Sequence, residues 1–403
     1  MYDFLTDKIL QNYADLMVNF GANERKGVQK NDVCLVRVPE SASIMLKYFQ
    51  RSILKAGGHP VLEISPEGLA ADFFELANDD QLNYMDENVI RVKNEQFDHR
   101  ISVVGSKFPL ELKDSDTKKI AQRRKVFAPI NKEIWKRYDQ KLASWTLCMF
   151  GTPAMAEQAG LTLEEYWDQI IHACFLDSDN PVEKFNDIFN KIDKVCMWLN
   201  DLEIEHVHIE SENIDLRIKI GANRKWIGGS GHNIPSFEVF TSPDFRDVEG
   251  HIKFNQPLYY SGNVIRDIEL KFKDGAVVEF DASENKHVLE EMLSHKGAKH
   301  LGEFSMTDSR FSRITKFMAN TLFDENVGGK YGNTHVAVGN AYKDCFKGDI
   351  KTTTTEQWQE FGYNESVIHT DIVSTENRTV TATLQDGSNL VIYKDGKFTL
   401  DLE

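Results

Sequence analysis

Residues 32–64 read DVCLVRVPESASIMLKYFQRSILKAGGHPVLEI and predict the fold of the N-terminal half of the chain. Residues 32–38 are an apolar run of strand length, and residues 40–56 carry apolar side chains at helical spacing. The helix is expected to end at Gly57-Gly58, because glycine accepts the left-handed backbone of a helix C-terminus. Residues 59–64 then form a second strand. This order of strand, helix and strand predicts a right-handed parallel crossover.

The rest of the N-terminal half repeats this alternation of helices and strands. Helices are predicted over residues 3–20, 116–126, 129–143, 162–175 and 182–202, and strands over residues 100–104 and 145–150. One of these helices begins behind the capping box Thr162-Leu-Glu-Glu165. None of the strands is followed by a GxGxxG or GxxxxGKS/T loop, so neither a dinucleotide site nor a P-loop is predicted. An α/β domain is therefore expected over residues 1–190.

From Glu203 onward, alternating strands dominate the sequence. Three Asp-Gly pairs between apolar runs predict hairpin turns, at Asp274-Gly275, Asp386-Gly387 and Asp395-Gly396. Only two helices are predicted here, over residues 284–295 and 307–322. We expect a second domain over residues 191–403, of α+β class and strand-rich, with a largely antiparallel or mixed sheet.

Composition limits the possible functions. With 403 residues the chain exceeds what one hydrophobic core usually supports, which favours two domains. The formal net charge of -16 argues against nucleic acid and against anionic membranes as partners. The N-terminus lacks the basic and apolar regions of a signal peptide, and no run of 18 apolar residues occurs, so a cytoplasmic protein is expected. The five scattered cysteines predict neither disulfides nor a zinc ribbon.

The segment from Leu301 to Tyr342 is too irregular for a simple amphipathic helix, and it concentrates polar side chains that can do chemistry. Similar strand-and-turn settings on either side of it present further polar residues. Together these candidates are Glu238, Glu303, Glu325, His335, Tyr342, His369 and Asp371. Carboxylates and imidazoles without a thiolate suit a pair of divalent metal ions.

Local context separates three of these candidates from ordinary surface residues. Glu238 follows a glycine-rich turn and stands among apolar neighbours, where an unpaired charge would be costly. His369 and Asp371 are separated by one residue, so a strand directs both side chains to the same side. His206 and His208 have the same spacing, but no carboxylate motif lies close to them in sequence. They are interpreted as the polar face of an exposed strand.

Five motifs stand in the order in which a known family has them: NIPSFEVFTSP, LGEFSM, TLFDEN, THVAVGNAY and NESVIHTD. The second half of the chain thus resembles the thermophilic metallo-aminopeptidase family, the group of aminopeptidase T, aminopeptidase S and PepS. Weaker likeness in WTLCMFGTPAMA and YADLMVNFGANERKG extends the resemblance over nearly the whole chain.

The resemblance implies two divalent metal ions per chain, which could be zinc, cobalt, manganese or magnesium. Matched residue by residue, it places the metal ligands on Glu238, Glu303, Glu325, His335, His369 and Asp371. In such a site a metal-activated water attacks the peptide bond. Glu303 is the expected general base, and Tyr342 is the expected donor to the oxyanion.

The resemblance further implies an aminopeptidase that releases N-terminal amino acids from short peptides. A homodimer with enclosed active sites is expected, in which the N-terminal domain helps to wall the cavity. The chain departs from the family pattern at two points. Phe237 stands where the family usually has glycine, and the residues VGGKYGNT lengthen the segment between Glu325 and His335.

Two other functions fit the same residues. A different dinuclear metallohydrolase, such as an amidase or a phosphoesterase, uses the same kind of site. A family member that has lost catalysis would instead bind peptides or act as a scaffold, an idea that Phe237 and the longer segment motivate. Retention of all the matched ligands speaks against lost catalysis, because buried charges are costly without a metal.

Overall fold

A computed structural model describes residues 3–221 and 223–402. The chain folds into two compact units. The first unit comprises Met1–Asn186 and Ser230–Pro235, and the second comprises Asp187–Gly229 and Ser236–Glu403. Within the described residues, no helix is both long enough and apolar enough to cross a membrane. All five cysteines are buried free thiols.

The helices in the described residues are α1 (Asp7–Leu16), α2 (Leu46–Ala56), α3 (Ala70–Leu76), α4 (Asp79–Asn83), α5 (Glu87–Glu95), α6 (Thr117–Asp139), α7 (Pro153–Gln158), α8 (Leu163–Ala173), α9 (Pro181–Asp201), α10 (Lys286–Ser294), α11 (Thr321–Asp324) and α12 (Thr355–Glu360). A π-helical turn at Met17–Gly21 continues α1, and 3-10 turns lie at Glu40–Met45 and Lys343–Cys345.

The strands are β1 (Val33–Pro39), β2 (His59–Ser65), β3 (His99–Val104), β4 (Ser144–Met149), β5 (Ile204–Glu210), β6 (Ile214–Lys219), β7 (Ile227–Gly228), β8 (Asn233–Ile234), β9 (Glu238–Thr241), β10 (Val248–Lys253), β11 (Leu258–Tyr260), β12 (Asn263–Ile265), β13 (Glu269–Lys273), β14 (Ala276–Asp281), β15 (Leu301–Thr307), β16 (Asn333–Gly339), β17 (His369–Ser374), β18 (Thr379–Leu384), β19 (Asn389–Lys394) and β20 (Lys397–Phe398).

A parallel sheet in the order β2-β1-β3-β4-β8 forms the centre of the first unit. The predicted crossover is present, because β1 and β2 pair in parallel and α2 connects them. Gly57 ends α2 with φ of 87°, a backbone conformation that a side chain would strain. The predicted capping box is also present, since the side chains of Thr162 and Glu165 each bond the other's backbone at the start of α8. The α/β prediction is confirmed.

The predicted break between helices at residues 126–129 is wrong. A single helix, α6, runs from Thr117 to Asp139 with Pro129 inside it. Proline at this position removes the hydrogen bond to the carbonyl of Lys125. Both Lys125 and Pro129 lie on the exposed side of the helix, where water can satisfy that carbonyl. The sequence also gave no prediction of the short helices α3, α4 and α5.

The predicted helix over residues 307–322 is wrong as well. Phe311, Ile314 and Met318 are buried at helical spacing, but the chain follows an irregular path between β15 and α11. Side chains supply the hydrogen bonds that a helix would need. The carboxylate of Asp308 accepts bonds from the backbone N–H groups of Arg310 and Phe398. Such side-chain bonds to the backbone compete directly with helix formation.

Two antiparallel sheets organise the second unit. One has the order β14-β13-β10-β6-β5-β18-β19-β20, and the other has the order β17-β16-β15-β9-β7. The three predicted Asp-Gly hairpins join β13 to β14, β18 to β19, and β19 to β20. The strand-rich α+β prediction is confirmed. Of the two sheet types expected from the sequence, the named strands of these two sheets show the antiparallel one. Short turns favour this arrangement in the hairpins.

Candidate metal centre

Strand register places the predicted ligands on one face of the sheet formed by β17, β16, β15, β9 and β7. Glu303 pairs with Ala337, and Ala337 pairs with Asp371. Residues that pair across antiparallel strands lie on the same face, as do residues two apart along a strand. By the same rule His335, two residues before Ala337, and His369, two residues before Asp371, lie on the face that carries Glu303.

Glu238 joins this face through Thr307, with which it pairs across β9 and β15. The residues opposite the ligands are small, so the longer side chains have room to converge. Ser305 pairs with His335, and Gly339 pairs with His369. Ser305 and Thr307 follow Glu303 at intervals of two residues, so the alternation of side chains along a strand could have identified them as facing the site. Serine and threonine are common on strands, however, and nothing in the sequence singled these two out.

Gly302 allows the sheet to bend at the point where Glu303 enters the site. The register of β15 against β16 shifts between Leu301 and Glu303, which marks a bulge. A Cβ atom on Gly302 would lie 2.0 Å from the carbonyl oxygen of Asn340 and 2.7 Å from that of Gly339. Only glycine therefore permits this close approach of the two strands.

Glu303 lies between two groups of ligand atoms. In the first group, Nε2 of His335 lies 3.1 Å from Oε1 of Glu303 and 3.4 Å from Oε2 of Glu238. In the second group, Nε2 of His369 lies 3.6 Å from Oε2 of Glu303 and 3.6 Å from Oδ1 of Asp371. The donor atoms within each group lie within 4.8 Å of one another. The two oxygens of Glu303 thus face different groups.

The Asn340 carbonyl fixes the orientation of the His369 ring. Nδ1 of His369 lies 2.7 Å from this oxygen and donates to it, because a carbonyl can only accept. The lone pair of the neutral ring is then on Nε2, the atom that faces Glu303 and Asp371. Bonds of this kind from the second ring nitrogen are usual for histidines that bind metals.

Glu325 is buried beside these residues but belongs to neither group of donor atoms in the described parts of the chain. Asn326 connects its position to that of Glu238. The Asn326 amide donates to Oε1 of Glu325 at 3.3 Å, and its carbonyl oxygen accepts from the backbone N–H of Phe237 at 2.6 Å. The loop that holds Glu325 is thereby attached to the residue directly before Glu238. Whether Glu325 binds a metal stays a prediction.

Tyr342 stands at the edge of the site. Its ring centroid lies 4.5 Å from that of His369 and 5.9 Å from that of Phe240. Its backbone N–H donates to Ser242 at 2.8 Å, which fixes the position of the turn after β16. The residue is 43% exposed, so its side chain can be reached by a substrate.

Burial and mutual repulsion shift the pKa values of the acids. Burial raises the pKa of Glu303 to about 7, against a hydrogen bond from His335 that lowers it. Burial and the charges of Glu238 and Asp371 hold the pKa of Glu325 well above its usual value. Burial would also raise the pKa of Asp371, but the nearby His369 outweighs it and the pKa is lowered.

The two histidines respond to the same carboxylates. Burial alone would lower the pKa of His335, but Glu238, Glu303 and Asp371 hold it well above its usual value. Burial would also lower the pKa of His369, but the charges of Asp371 and Glu303 outweigh it and raise this pKa to about 9. Without metal, protons on the imidazoles supply positive charge to the acidic centre.

The residues present fit divalent metal ions. A tetrahedral ion with ligand distances of about 2.1 Å holds its donor atoms about 3.4 Å apart. The distances given above, from 3.1 to 3.6 Å, bracket this value. Oδ1 of Asp371 is buried without a hydrogen-bond partner in the described residues, as suits an oxygen that binds a cation. Carboxylate and imidazole donors without thiolate accept zinc, cobalt or manganese.

The histidine pair on β5 has other partners. Nε2 of His206 lies 3.0 Å from Asp247, and Nε2 of His208 lies 2.7 Å from Asp215. Asp215 lies on the neighbouring strand β6, and Asp247 directly precedes β10. Neither histidine belongs to a group of metal donors in the described residues. Both histidines are partly exposed, and their interpretation as the polar face of an exposed strand stays a prediction.

Metal-free protein is expected to lose stability as the pH rises from about 5 to about 9. The pKa of Glu303 is about 7 in the folded state against a usual 4.5, so the folded state binds this proton more tightly. Its ionisation therefore favours unfolding as the pH rises through this interval. His369 acts in the same direction, because its proton stabilises the fold until the pH passes its folded pKa of about 9.

Urea unfolding of chelator-treated protein at several pH values measures this effect. Each unit of pKa shift corresponds to about 1.4 kcal/mol, so a loss of several kcal/mol is expected. Added zinc or cobalt should remove most of the pH dependence, since the cation replaces the protons. Stability that rises with pH in the metal-free protein would contradict this electrostatic account of the centre.

Comparison with known proteins identifies the family of the chain. The model of the thermophilic metalloprotease (M29) family matches residues 6–398. The chain belongs to this family. It is therefore a metal-dependent peptidase. The donor atoms described above suit such a metal.

Individual relatives cover nearly the whole chain. The chain is 28% identical to "Aminopeptidase AmpS" of Bacillus subtilis, with 96% of this chain and 98% of that protein covered. It is 25% identical to "Aminopeptidase 2" of Geobacillus stearothermophilus, with 98% and 99% covered. The structure "Wild-type AmpT from Thermus thermophilus" superposes with a TM-score of 0.84 over 98% of this chain and 99% of that chain, at 23% identity. This last likeness establishes the fold.

Proposed function

We propose that this M29 peptidase is an aminopeptidase that releases N-terminal amino acids from short peptides at a centre of two divalent metal ions. The names of its relatives support the aminopeptidase activity. One observation carries the proposal of two ions: the two oxygens of Glu303 face separate groups of donor atoms. A carboxylate placed in this way can bridge two metal ions.

The charge of the centre supports the same number of ions. Four carboxylates with buried side chains meet two histidines in this part of the second unit. They are those of Glu238, Glu303, Glu325 and Asp371. With neutral histidines as ligands, two divalent cations balance these four negative charges. A buried charge without a partner would cost several kcal/mol.

Each ion has its own residues in this proposal. Glu238 and His335 would hold one ion, His369 and Asp371 would hold the other, and Glu303, which faces both groups, would serve as a ligand shared between them. Bound divalent ions supply an activated water and polarise the carbonyl group of the substrate. Zinc, cobalt, manganese and magnesium remain candidates for the native metal.

Proton transfer has two candidate carriers. Glu303 is the base expected from the sequence, but both of its oxygens are directed at ligand groups. Glu325 is a buried carboxyl beside both groups but in neither, and burial together with the charges of Glu238 and Asp371 holds its pKa well above its usual value, which favours a group that binds a proton. We propose that Glu303 holds the centre together, and that Glu325 takes the proton of the attacking water and passes it to the leaving amine.

Tyr342 is suited to donate a hydrogen bond to the developing oxyanion. Partial burial and the charges of Glu303 and Asp371 raise the pKa of Tyr342 above its usual value, so its hydroxyl keeps the proton. A neutral donor aimed at an oxygen that gains charge stabilises the transition state. Its ring contact with His369 places this donor next to the centre.

Hydrolysis of three compounds tests the proposed activity. Leucyl-p-nitroanilide should be cleaved in the presence of zinc or cobalt and spared after chelation. N-acetyl-leucyl-p-nitroanilide should be a poor substrate, because an aminopeptidase requires the free α-amine. Cleavage of p-nitrophenyl phosphate but not of the anilide would contradict the proposal and favour a phosphoesterase. Equal cleavage of both anilides would favour an amidase or an endopeptidase.

Glu325→Gln is expected to lower kcat about a hundredfold or more while metal content stays close to that of the wild type. The physical reason is loss of the proton carrier, since general acid-base catalysis contributes about 10² to 10⁴. Glu356→Gln, an exposed acid in α12, serves as the control. A variant with undiminished kcat would exclude Glu325 as the carrier. Loss of a metal ion would instead support its sequence-predicted role as a ligand.

The proposal also includes the homodimer that the family resemblance implies. Light scattering at the concentration of the assay tests it directly. A dimer mass is expected, and a monomer mass together with full activity would remove the dimer from the proposal.

A further inference from the structure

Arg224 is a buried cation of the second unit without a carboxylate partner among the described residues. It is 4% exposed, and burial lowers the pKa of its guanidinium below the usual value. The acid that acts on it from a distance, Asp244, is bonded to the guanidinium of Arg246 instead. A buried charge without an ionic partner costs stability. The groups that Arg224 does bond therefore indicate its role.

Backbone carbonyl groups accept the hydrogen bonds of this guanidinium. Nε of Arg224 donates to the carbonyl of Ser242 at 2.7 Å, and one terminal nitrogen donates to the carbonyl of Phe361 at 2.6 Å. The guanidinium carbon also lies 3.8 Å from the centroid of the Tyr363 ring, which favours a cation. Ser242 directly follows β9, and Phe361 directly follows α12. Arg224 thus joins the ends of two elements that are far apart in sequence.

Ser242 extends this connection to Tyr342. Its carbonyl accepts from Arg224, and its hydroxyl accepts the backbone N–H of Tyr342 at 2.8 Å. The ring of Tyr342 lies 4.5 Å from that of His369, at the edge of the metal centre. Because a guanidinium is planar and its N–H groups have fixed directions, it holds its acceptors in one arrangement. The position of Ser242, and with it that of Tyr342, therefore depends on Arg224.

The backbone around Arg224 holds the same turn at its other end. The N–H of Lys225 donates to the carbonyl of Cys345 at 2.8 Å. Arg224 itself forms an isolated antiparallel bridge with Phe346. The turn that begins at Tyr342 is thus attached to the Arg224 segment both before and after its 3-10 helix.

We propose that Arg224 is a positioning residue for the oxyanion donor: acting through Ser242, it holds the Tyr342 hydroxyl where negative charge develops on the substrate. The proposal rests on the proposed aminopeptidase function, and it concerns a residue outside both groups of metal donors. A hydrogen-bond donor stabilises the transition state only when it is already directed at the oxyanion. A displacement of about 1 Å can cost about a hundredfold in rate.

Arg224→Met removes the donors of this side chain and keeps much of its length. With leucyl-p-nitroanilide, kcat should fall about tenfold or more, while metal content stays close to that of the wild type. KM should change little, because a donor to the oxyanion acts mainly in the transition state. Arg224→Lys keeps the charge without the planar fork and should recover only part of kcat. Undiminished kcat in a folded Arg224→Met variant would overturn the proposal.

A double-mutant cycle separates positioning from general support of the fold. In a Tyr342→Phe background, Arg224→Met should lower kcat less than about twofold further, because no hydroxyl remains to be displaced. An equal fall in both backgrounds would overturn the proposal. The matched control is Arg378→Met, which alters another buried arginine of this unit that bonds Thr334 and Tyr393. Any loss that it causes should be the same in both backgrounds.

Ser242→Ala tests the same connection if the Arg224 variants do not fold. It removes the hydroxyl that accepts the Tyr342 N–H and leaves the carbonyl that Arg224 binds. It should lower kcat in the wild type and have little effect in Tyr342→Phe. Ser374→Ala is the matched control, because Ser374 is a buried serine whose hydroxyl has no partner in the described residues. Equal kcat in the Ser242→Ala variant and the wild type would overturn the connection.

Hydrogen exchange distinguishes failure of the proposed function from failure of the positioning proposal. If the wild-type protein cleaves no anilide with zinc or cobalt supplied, the aminopeptidase proposal fails. Exchange of the Tyr342 amide then reports on its bond to Ser242 without turnover, because exchange requires local opening. This amide should exchange about tenfold faster in Arg224→Met than in the wild type, and at the wild-type rate in Arg378→Met. Equal exchange in Arg224→Met and the wild type would overturn the positioning role.

Discussion

Glu303→Gln is expected to lower kcat/KM for leucyl-p-nitroanilide about a thousandfold or more, with the fold retained. The carboxamide has nearly the same shape as the carboxylate, so the packing on β15 changes little. It lacks the second anionic oxygen, however, and Glu303 directs one oxygen to His335 and the other to His369. Metal content should therefore fall at both sites, because the shared ligand is lost.

Elemental analysis and a thermal unfolding curve accompany the rate measurement. Removal of a buried carboxylate from an acidic cluster should leave the metal-free protein as stable as the wild type or more stable, since burial and repulsion raise the pKa of Glu303 to about 7. Glu269→Gln, on the exposed side of β13, is the control and should change neither rate nor metal content. Turnover close to that of the wild type in Glu303→Gln would contradict both the bridging role and the base role of this residue.

Loss of either histidine should remove one metal ion and lower activity about a hundredfold or more. His335 lies in the group with Glu238, and His369 lies in the group with Asp371. Each substitution by alanine deletes the imidazole donor of one group while the other group keeps its own. Metal content is thus expected to fall from about two ions per chain to about one in each variant.

His208→Ala provides the matched control for these variants. His208 is on a strand and pairs with Asp215, but belongs to neither group of donors in the described residues. It should retain both ions and full activity. If His335→Ala and His369→Ala each kept two ions, the assignment of the ligands to two groups would be wrong. A single variant that lost both ions would indicate that the second ion depends on the first.

Local sequence patterns predicted much of the fold because they act over a few residues. Gly57 ends α2 where the sequence places it, and the capping box at Thr162 starts α8. The Asp-Gly turns set the hairpins of the second unit for the same reason. Each of these features depends on backbone geometry that neighbouring residues determine.

Features that depend on distant partners were not predictable in this way. The spacing of Phe311, Ile314 and Met318 indicated a helix, but Asp308 holds this segment through a bond to Phe398, 90 residues away in sequence. The continuous helix through Pro129 depends on which carbonyl faces solvent. Neither fact is contained in a local window of sequence.

In the candidate metal centre, too, some features follow from local sequence and others depend on distant parts of the chain. The i, i+2 spacing of His369 and Asp371 predicted that they share a face, and β17 places them so. The register of β15 and β16 decides that Glu303 stands between two groups, and this register includes a bulge that no sequence pattern specified. The shared position of Glu303 could therefore be found only in the folded chain.

The number of metal ions bound per chain tests the central claim most directly. Elemental analysis of the purified protein should be combined with hydrolysis of leucyl-p-nitroanilide before and after chelation. We predict about two divalent ions per chain, loss of hydrolysis when they are removed, and recovery when zinc or cobalt is returned. Undiminished hydrolysis by protein freed of metal, or full activity with a single ion per chain, would contradict the proposed two-metal centre.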